Sequence, residues 1–182
     1  MTSEDRLEIE VKIRITDPRP LLPRLAAAGF TEVRKRTFER NLVFDDRGGR
    51  LHGQGILLRL RQENRKVTLT VKQPAQISEI FKVRQEIEAK VDDFEAMKKI
   101  LIALDFEVFF VYEKYRRIFQ RRRLLVTVDE TPIGNFLEIE GDMAEIDRAA
   151  GELGFTRQDY VTATYYQLFR ETGRPGFMTF DT

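Results

Sequence analysis

The chain has no cysteine, no tryptophan and a single histidine in 182 residues. Without cysteine there is no disulfide framework, no thiolate metal site and no cysteine nucleophile. The one histidine, His52, excludes a histidine-rich metal centre, and any Ser-His-Asp triad would have to use it; beside Gly53 and Gly55 it reads as a turn residue. No apolar run approaches the roughly 18 residues of a membrane span, and the opening residues Met1 to Arg6 are polar, so the expectation is a soluble cytoplasmic protein with no membrane association. Charge of one sign is also lacking: 31 basic and 30 acidic residues leave a net charge of +1, which excludes a uniformly basic or acidic surface. Yet 34% of the chain is charged, above the usual quarter, so this charge must be arranged rather than merely abundant.

The arrangement is visible first in Glu8-Ile9-Glu10-Val11-Lys12. Alternate residues of a strand share a face, so Glu8, Glu10, Lys12 and Arg14 lie on one side and Ile9, Val11 and Ile13 on the other. Arg84 to Lys90 nearly repeats it, with Arg84, Glu86, Glu88 and Lys90 (preceded by Lys82) set against Val83, Ile87 and Ala89. Glu138-Ile139-Glu140 is a third instance. Arg59 and Arg61 alternate with Leu58 and Leu60; Thr68, Thr70 and Lys72 with Leu69 and Val71; Lys114 with Arg116; Thr127 and Asp129 with Val126 and Val128.

Between these strands lie helix signals. Pro18 to Ala28 carries an apolar stripe and ends at Gly29; Asp92 or Asp93 caps a helix bearing Phe94, Met97, Ile100, Leu101 and Leu104; Asp142 with Glu145 opens another through Leu153; and Ala163 to Arg170 is expected to start from Thr162. The remaining strands are expected at 37–44, 56–62, 67–73 (closed by Pro74), 81–91, 112–120, 124–130 and 135–141. The order strand, helix, three strands occurs twice, giving two similar halves and eight strands, enough to close a small barrel. The fold expected is α+β: one domain over residues 1–172, an eight-stranded antiparallel β-barrel with helices outside, and a loosely attached tail over 173–182.

If every aliphatic face packs outward, the charged faces converge inside. Burying so many ions costs several kcal/mol each unless they are paired or met by a ligand. A polyphosphate with divalent cations meets that condition, because Arg and Lys take phosphate oxygens and carboxylates take Mg²⁺ or Mn²⁺.

As an ordered set, Glu8-x-Glu10-x-Lys12, Arg59-x-Arg61, Thr68 to Lys72, Arg84-x-Glu86-x-Glu88, Lys114-x-Arg116, Asp129 and Glu138-Ile139-Glu140 resemble the CYTH domain, the triphosphate tunnel metalloenzymes. The resemblance spans about residues 7–169. It implies an enzyme with a tunnel that binds a triphosphate and a divalent metal. Such an enzyme hydrolyses the terminal phosphate of tripolyphosphate or a nucleoside triphosphate; as a class IV adenylyl cyclase it instead converts ATP to cyclic AMP and pyrophosphate. By matching position, Lys12, Arg59, Arg61, Lys72, Arg84, Lys114 and Arg116 bind substrate. Glu8, Glu10, Glu86, Glu88, Asp129, Glu138 and Glu140 hold metal, and Lys12, Glu8 and Glu10 are the catalytic candidates. Lys12 either binds phosphate or, crowded by arginines, has a lowered pKa and activates water. A non-catalytic polyphosphate-binding module is the further alternative.

The absent tryptophan disfavours thiamine triphosphate, which wants a stacking platform, although Phe and Tyr can substitute. Arg121-Arg122-Arg123 falls where a hairpin turn is due, and most aromatic residues fall on apolar faces, so nucleic acid is disfavoured as a partner. A small-molecule triphosphate is the expected partner, and a homodimer is compatible with the sequence.

Overall fold

The alternation of β1 (Arg6–Ile15) decides the architecture, since its aliphatic row must be covered while its charged row faces a shared interior. In the computed structural model, which describes residues 6–76, 78 and 80–181, Val11 and Ile13 are buried under helices, and Glu8, Glu10 and Lys12 point the other way into a closed barrel.

After β1 come α1 (Leu21–Ala27), β2 (Thr31–Asp46), the short α2 (Arg50–Gly53), β3 (Leu57–Glu63) and β4 (Lys66–Gln76). The second half repeats this as β5 (Lys82–Val91), α3 (Phe94–Ala103), β6 (Phe106–Arg121), β7 (Leu124–Thr131) and β8 (Gly134–Glu140), followed by α4 (Met143–Glu152), β9 (Tyr160–Val161) and α5 (Tyr165–Glu171). The ladder runs β5-β4-β3-β2-β6-β7-β8-β1 and closes through β1–β5, with every pairing antiparallel. The eight expected strands therefore form the expected barrel. Equivalent strands of the two halves meet at β1–β5 and at β2–β6, so the halves are related by a pseudo-twofold. β9 is an addition: it pairs with Lys12 and Ile13 where β5 has left the edge of β1.

Register is matched by charge. Directly opposite one another on neighbouring strands lie Lys72 and Glu86, Arg84 and Glu8, Lys82 and Glu10, Lys12 and Glu138, Lys114 and Glu39, and Arg116 and Asp129. A slip of one residue would turn the charged row of that strand outward. The outer face is covered by α1 and α4 against Val11, Ile13, Val126, Leu137 and Ile139, and by α3 against Leu42, Phe44, Leu58, Leu60 and Val111; α5 packs instead on Phe110 and Phe136, which share the inward faces of their strands with Lys114 and Glu138.

Several boundaries differ from expectation for identifiable reasons. β2 and β6 are each 16 residues long, and their outer ends pair through register shifts at Glu32/Arg34 and Arg34/Thr37 that break strict alternation. Pro74 does not close β4, which continues to Gln76 through an irregular register opposite Arg84 and Val83. α5 starts two residues later than expected, at Tyr165 instead of Ala163: Thr164 accepts the Gln167 N–H and Gln167 reaches back to the Thr164 N–H, a complete capping box. The segment after Gly173 is not loose. Met178 is fully buried beside Phe110 and Phe169, its N–H donates to the Val111 carbonyl, and its carbonyl accepts from the Glu113 N–H. It occupies the edge of β6 beyond the point where β7 ends.

Candidate active site in the barrel interior

The phosphate-class cations expected from the sequence all face the same space. Arg59 donates to the Tyr112 hydroxyl and to Thr70, each at 3.3 Å, while its buried Nε has no partner. Arg61 reaches Glu88 at 3.0 Å and Thr68 at 3.3 Å. Lys72 is clasped by Glu8 at 2.6 Å and lies 3.4 Å from Glu86. Arg84 donates to Glu10 at 3.0 Å and touches Glu8 at 3.5 Å, again with a buried Nε left over. Lys12 lies 3.0 Å from Glu138 and over the Tyr165 ring, and Arg116 bridges Glu138 and Asp129.

These residues line a cavity of about 490 Å³, the size of a site for a small ligand. Glu8, Glu10, Glu86, Glu88, Glu138 and Glu140 line it with Lys12, Arg59, Arg61, Lys72, Arg84, Lys114 and Arg116. Asp129 differs from the other acids because it stands behind the lining with no exposure. Its carboxylate accepts from Lys114 at 2.9 Å, Arg116 at 2.6 Å and the Tyr165 hydroxyl at 2.7 Å, so it fixes two cations that do line the cavity.

Four interior residues have no role in the expectations from the sequence. Lys82 lies 3.5 Å from Glu10, and the alternation that gave Arg84 and Glu86 already put it on their face. Glu39 and Asn41, both fully buried on β2, have side-chain polar atoms without hydrogen-bond partners, and Glu39 lies 3.8 Å from Lys114. Tyr165 falls on an apolar helix face in the sequence, and spacing does not reveal the contact of its hydroxyl with Asp129.

Burial and ion pairing oppose each other throughout. Burial pushes the Glu138 carboxyl up, but Lys12 and Arg116 more than offset it and hold the group well below the usual range. Glu10 behaves likewise under Lys82 and Arg84. Glu39, buried, is drawn down to about 2 by Lys114, Arg116 and the β3 arginines. Lys12 does not have the lowered pKa that the sequence allowed. Burial lowers it, yet Glu138 and Glu10 raise it above the ordinary value, because its neighbours are carboxylates rather than arginines, and it stays an ammonium. The lowered lysine is Lys82, brought to about 7 by burial and by Arg84; its carboxylate partner Glu10 is shared with, and closer to, Arg84.

The acids are hard oxygen donors of the kind Mg²⁺ and Mn²⁺ take. Glu10 stands directly opposite Glu140 across the β1–β8 ladder, with Glu138 next on the same face, and the Glu138 charge opposes ionisation of Glu10. Like charges so placed are unfavourable together, and a divalent cation relieves that repulsion. The donor set therefore fits such an ion in chemistry. Among the described residues no three acidic side chains converge into a ready-made metal site; Glu8, Glu10 and Glu138 are held by Lys and Arg instead.

Among the described residues, the groups that line the cavity or stand buried behind its lining include eight cations (Lys12, Arg59, Arg61, Lys72, Lys82, Arg84, Lys114, Arg116) and nine acids (Glu8, Glu10, Glu39, Asp45, Glu86, Glu88, Asp129, Glu138, Glu140). The two signs nearly balance, so a polyanion entering the barrel is best accommodated together with its own counter-cations.

Comparison with known proteins agrees with this architecture. A protein of Methanocaldococcus jannaschii is 30% identical over 173 residues, covering 89% of this chain and 98% of that protein. Crystallography of a Vibrio parahaemolyticus protein gives a fold that superposes with a TM-score of 0.81 at 18% identity, covering 92% of this chain and 99% of that one. A Hippeastrum protein described as revealing a dominant triphosphatase activity superposes at 0.65 and 22% identity, covering 91% and 96%. All three bear the name "putative adenylate cyclase" or "putative adenylyl cyclase". The CYTH domain model matches residues 6–165, and on that match and the 30% identical relative this chain belongs to the CYTH domain family.

Proposed function

We propose that this chain is a divalent-metal-dependent enzyme that takes a triphosphate into the barrel and hydrolyses its terminal phosphate. The observation that carries this reading is the densely charged interior, with the two signs nearly balanced, in which the buried Nε groups of Arg59 and Arg84 have no hydrogen-bond partner. Arg59, Arg61, Lys72 and Arg84 grip phosphate oxygens from β3, β4 and β5, and Lys12, Lys114 and Arg116 do so from β1 and β6. Glu8, Glu10, Glu138 and Glu140 hold the metal, with Glu86 or Glu88 assisting. The metal, when bound, neutralises phosphate charge and acidifies a water for in-line attack. Asp129 contributes by fixing Lys114 and Arg116, and Lys12 serves as a permanent positive charge rather than a base.

The names of the relatives favour a second reading, a class IV adenylyl cyclase. In that reaction the ribose 3′-hydroxyl attacks the α-phosphate, the bond to the β-phosphate bridge breaks, and pyrophosphate leaves. Phosphate and cyclic AMP distinguish the two. Purified protein is incubated with tripolyphosphate, ATP and thiamine triphosphate, each with Mg²⁺ or Mn²⁺, and the products are separated. Metal-dependent phosphate release is expected, with Arg59→Ala and a Glu138→Gln/Glu140→Gln pair each reducing kcat/KM by about 100-fold or more while circular dichroism is preserved. Turnover of none of the three substrates would leave a binding protein, not an enzyme.

A further inference from the structure

Asp129 and Glu39 are both fully buried behind the cavity lining, and they treat the cations in front of them differently. Asp129 uses up donors, accepting from Lys114, Arg116 and the Tyr165 hydroxyl. Neither oxygen of Glu39 accepts a hydrogen bond from any described residue, and Lys114, directly opposite it across the β2–β6 ladder, lies 3.8 Å away. The acid opposite Glu39 on β3, Glu63, is engaged by Arg34 at 2.6 Å.

Buried carboxylates normally collect hydrogen bonds, so Glu39 acts on its neighbours through charge alone. Four cations of the phosphate grip share its field. Burial pushes its carboxyl up, yet Lys114, Arg116, Arg61 and Arg59 draw it down to about 2, and it is ionised at neutral pH. In return it offsets the repulsion among them: burial and the charge of Arg59 lower the Arg61 guanidinium, and Glu39 is the foremost acid opposing both. The four take their hydrogen bonds elsewhere, from Tyr112, Thr70, Thr68, Glu88, Asp129 and Glu138. Glu39 therefore steadies the empty grip without occupying a donor. To an arriving polyanion it is a like charge fixed behind that grip, where the low dielectric magnifies the repulsion.

Resting on the triphosphate reading above, we propose that Glu39 is a positioning residue that sets how much negative charge the grip accepts. It keeps Arg59, Arg61, Lys114 and Arg116 together in the empty barrel, and it discriminates against a metal-free triphosphate in favour of the less charged metal complex.

Calorimetric titration of inorganic tripolyphosphate, with Mg²⁺ and with a chelator, into wild type, Glu39→Gln and Glu39→Asp tests this. In Glu39→Gln the metal-free affinity should rise about tenfold and that for the Mg²⁺ complex by no more than about threefold, so the preference for the complex narrows. Glu39→Asp, which keeps the charge, should keep the wild-type preference. A folding defect does not tighten binding, so the expected result cannot come from one. Unchanged or weaker metal-free binding in Glu39→Gln, or an equal gain in Glu39→Asp, overturns the assignment and leaves the triphosphate reading standing. If Glu39→Gln folds only with tripolyphosphate present, the ligand is supplying the missing counter-charge and the assignment holds; if it folds in neither condition, Glu39 is purely structural and the assignment falls. No binding of tripolyphosphate to wild type, with or without Mg²⁺, overturns both readings.

Discussion

Among single residues, Lys82 offers the clearest electrostatic test. Its ammonium is held down to about 7 by burial and by Arg84, against an ordinary 10.5. Below pH 7 it is charged in both folded and unfolded chains. Between about 7 and 10.5 the unfolded chain binds the proton and the folded one does not, so this group makes stability rise with pH across that window. Lys82→Met removes the dependence. The stability of the variant relative to wild type, measured by urea unfolding, should therefore be greatest near pH 7 and shrink toward pH 10, by on the order of a few kcal/mol. A difference that stays flat over that range would mean Lys82 is not the depressed amine. The sequence carried Lys82 as far as its face, by the same alternation that exposed Glu8, Glu10 and Arg84. Glu39 and Asn41 escaped because Arg40, between them, points outward into solvent, so both faces of that stretch are polar and the period of two disappears.

For whole elements, the contrast is between strands that announce themselves and pieces that merely fill gaps. β1, β3, β5 and β8 were legible because one face is aliphatic and the other ionic over several consecutive pairs. β9 and the segment around Met178 have two residues or fewer on a ladder, too little for any periodicity. Each is placed by what the barrel lacks: β9 extends the edge of β1 past β5, and Met178 extends the edge of β6 past β7. Such a filler is still structural. Met178 is fully buried against the cluster that includes Tyr165, and Tyr165 in turn braces Asp129. Met178→Ala should destabilise the chain by about 2–5 kcal/mol, seen as a lower urea midpoint at unchanged slope. A change under about 0.5 kcal/mol, the size usual for surface substitutions, would mean that the tail does not contribute to the folded state.

Over the whole molecule the governing fact is the near balance of charge inside the barrel. A polyanion arriving alone would meet its grip and at least as many carboxylates; one arriving with divalent ions brings charge for both. Tripolyphosphate with Mg²⁺ at a hundred times its dissociation constant should raise unfolding free energy by about 2.7 kcal/mol. The same tripolyphosphate with a chelator should stabilise far less, and equal stabilisation in both conditions would remove the metal from the binding step. Barrel, strand number and charged interior are legible in the sequence because one rule, aliphatic outward and ionic inward, is repeated along most of the strands. The contact among the rings of His52, Phe109 and Tyr166 is not, since they come from three separate elements whose meeting depends on closure.

That closure has a consequence for synthesis. β1 leaves the ribosome before the other strands of the barrel, yet none of its neighbours, β5, β8 and β9, belongs to the first repeat. Until translation has passed Val91 both of its hydrogen-bonding edges stay open, and the edge taken by β8 stays open until Glu140 has been made. The carboxylates that later face the barrel interior meanwhile discourage one unfinished chain from zipping onto another.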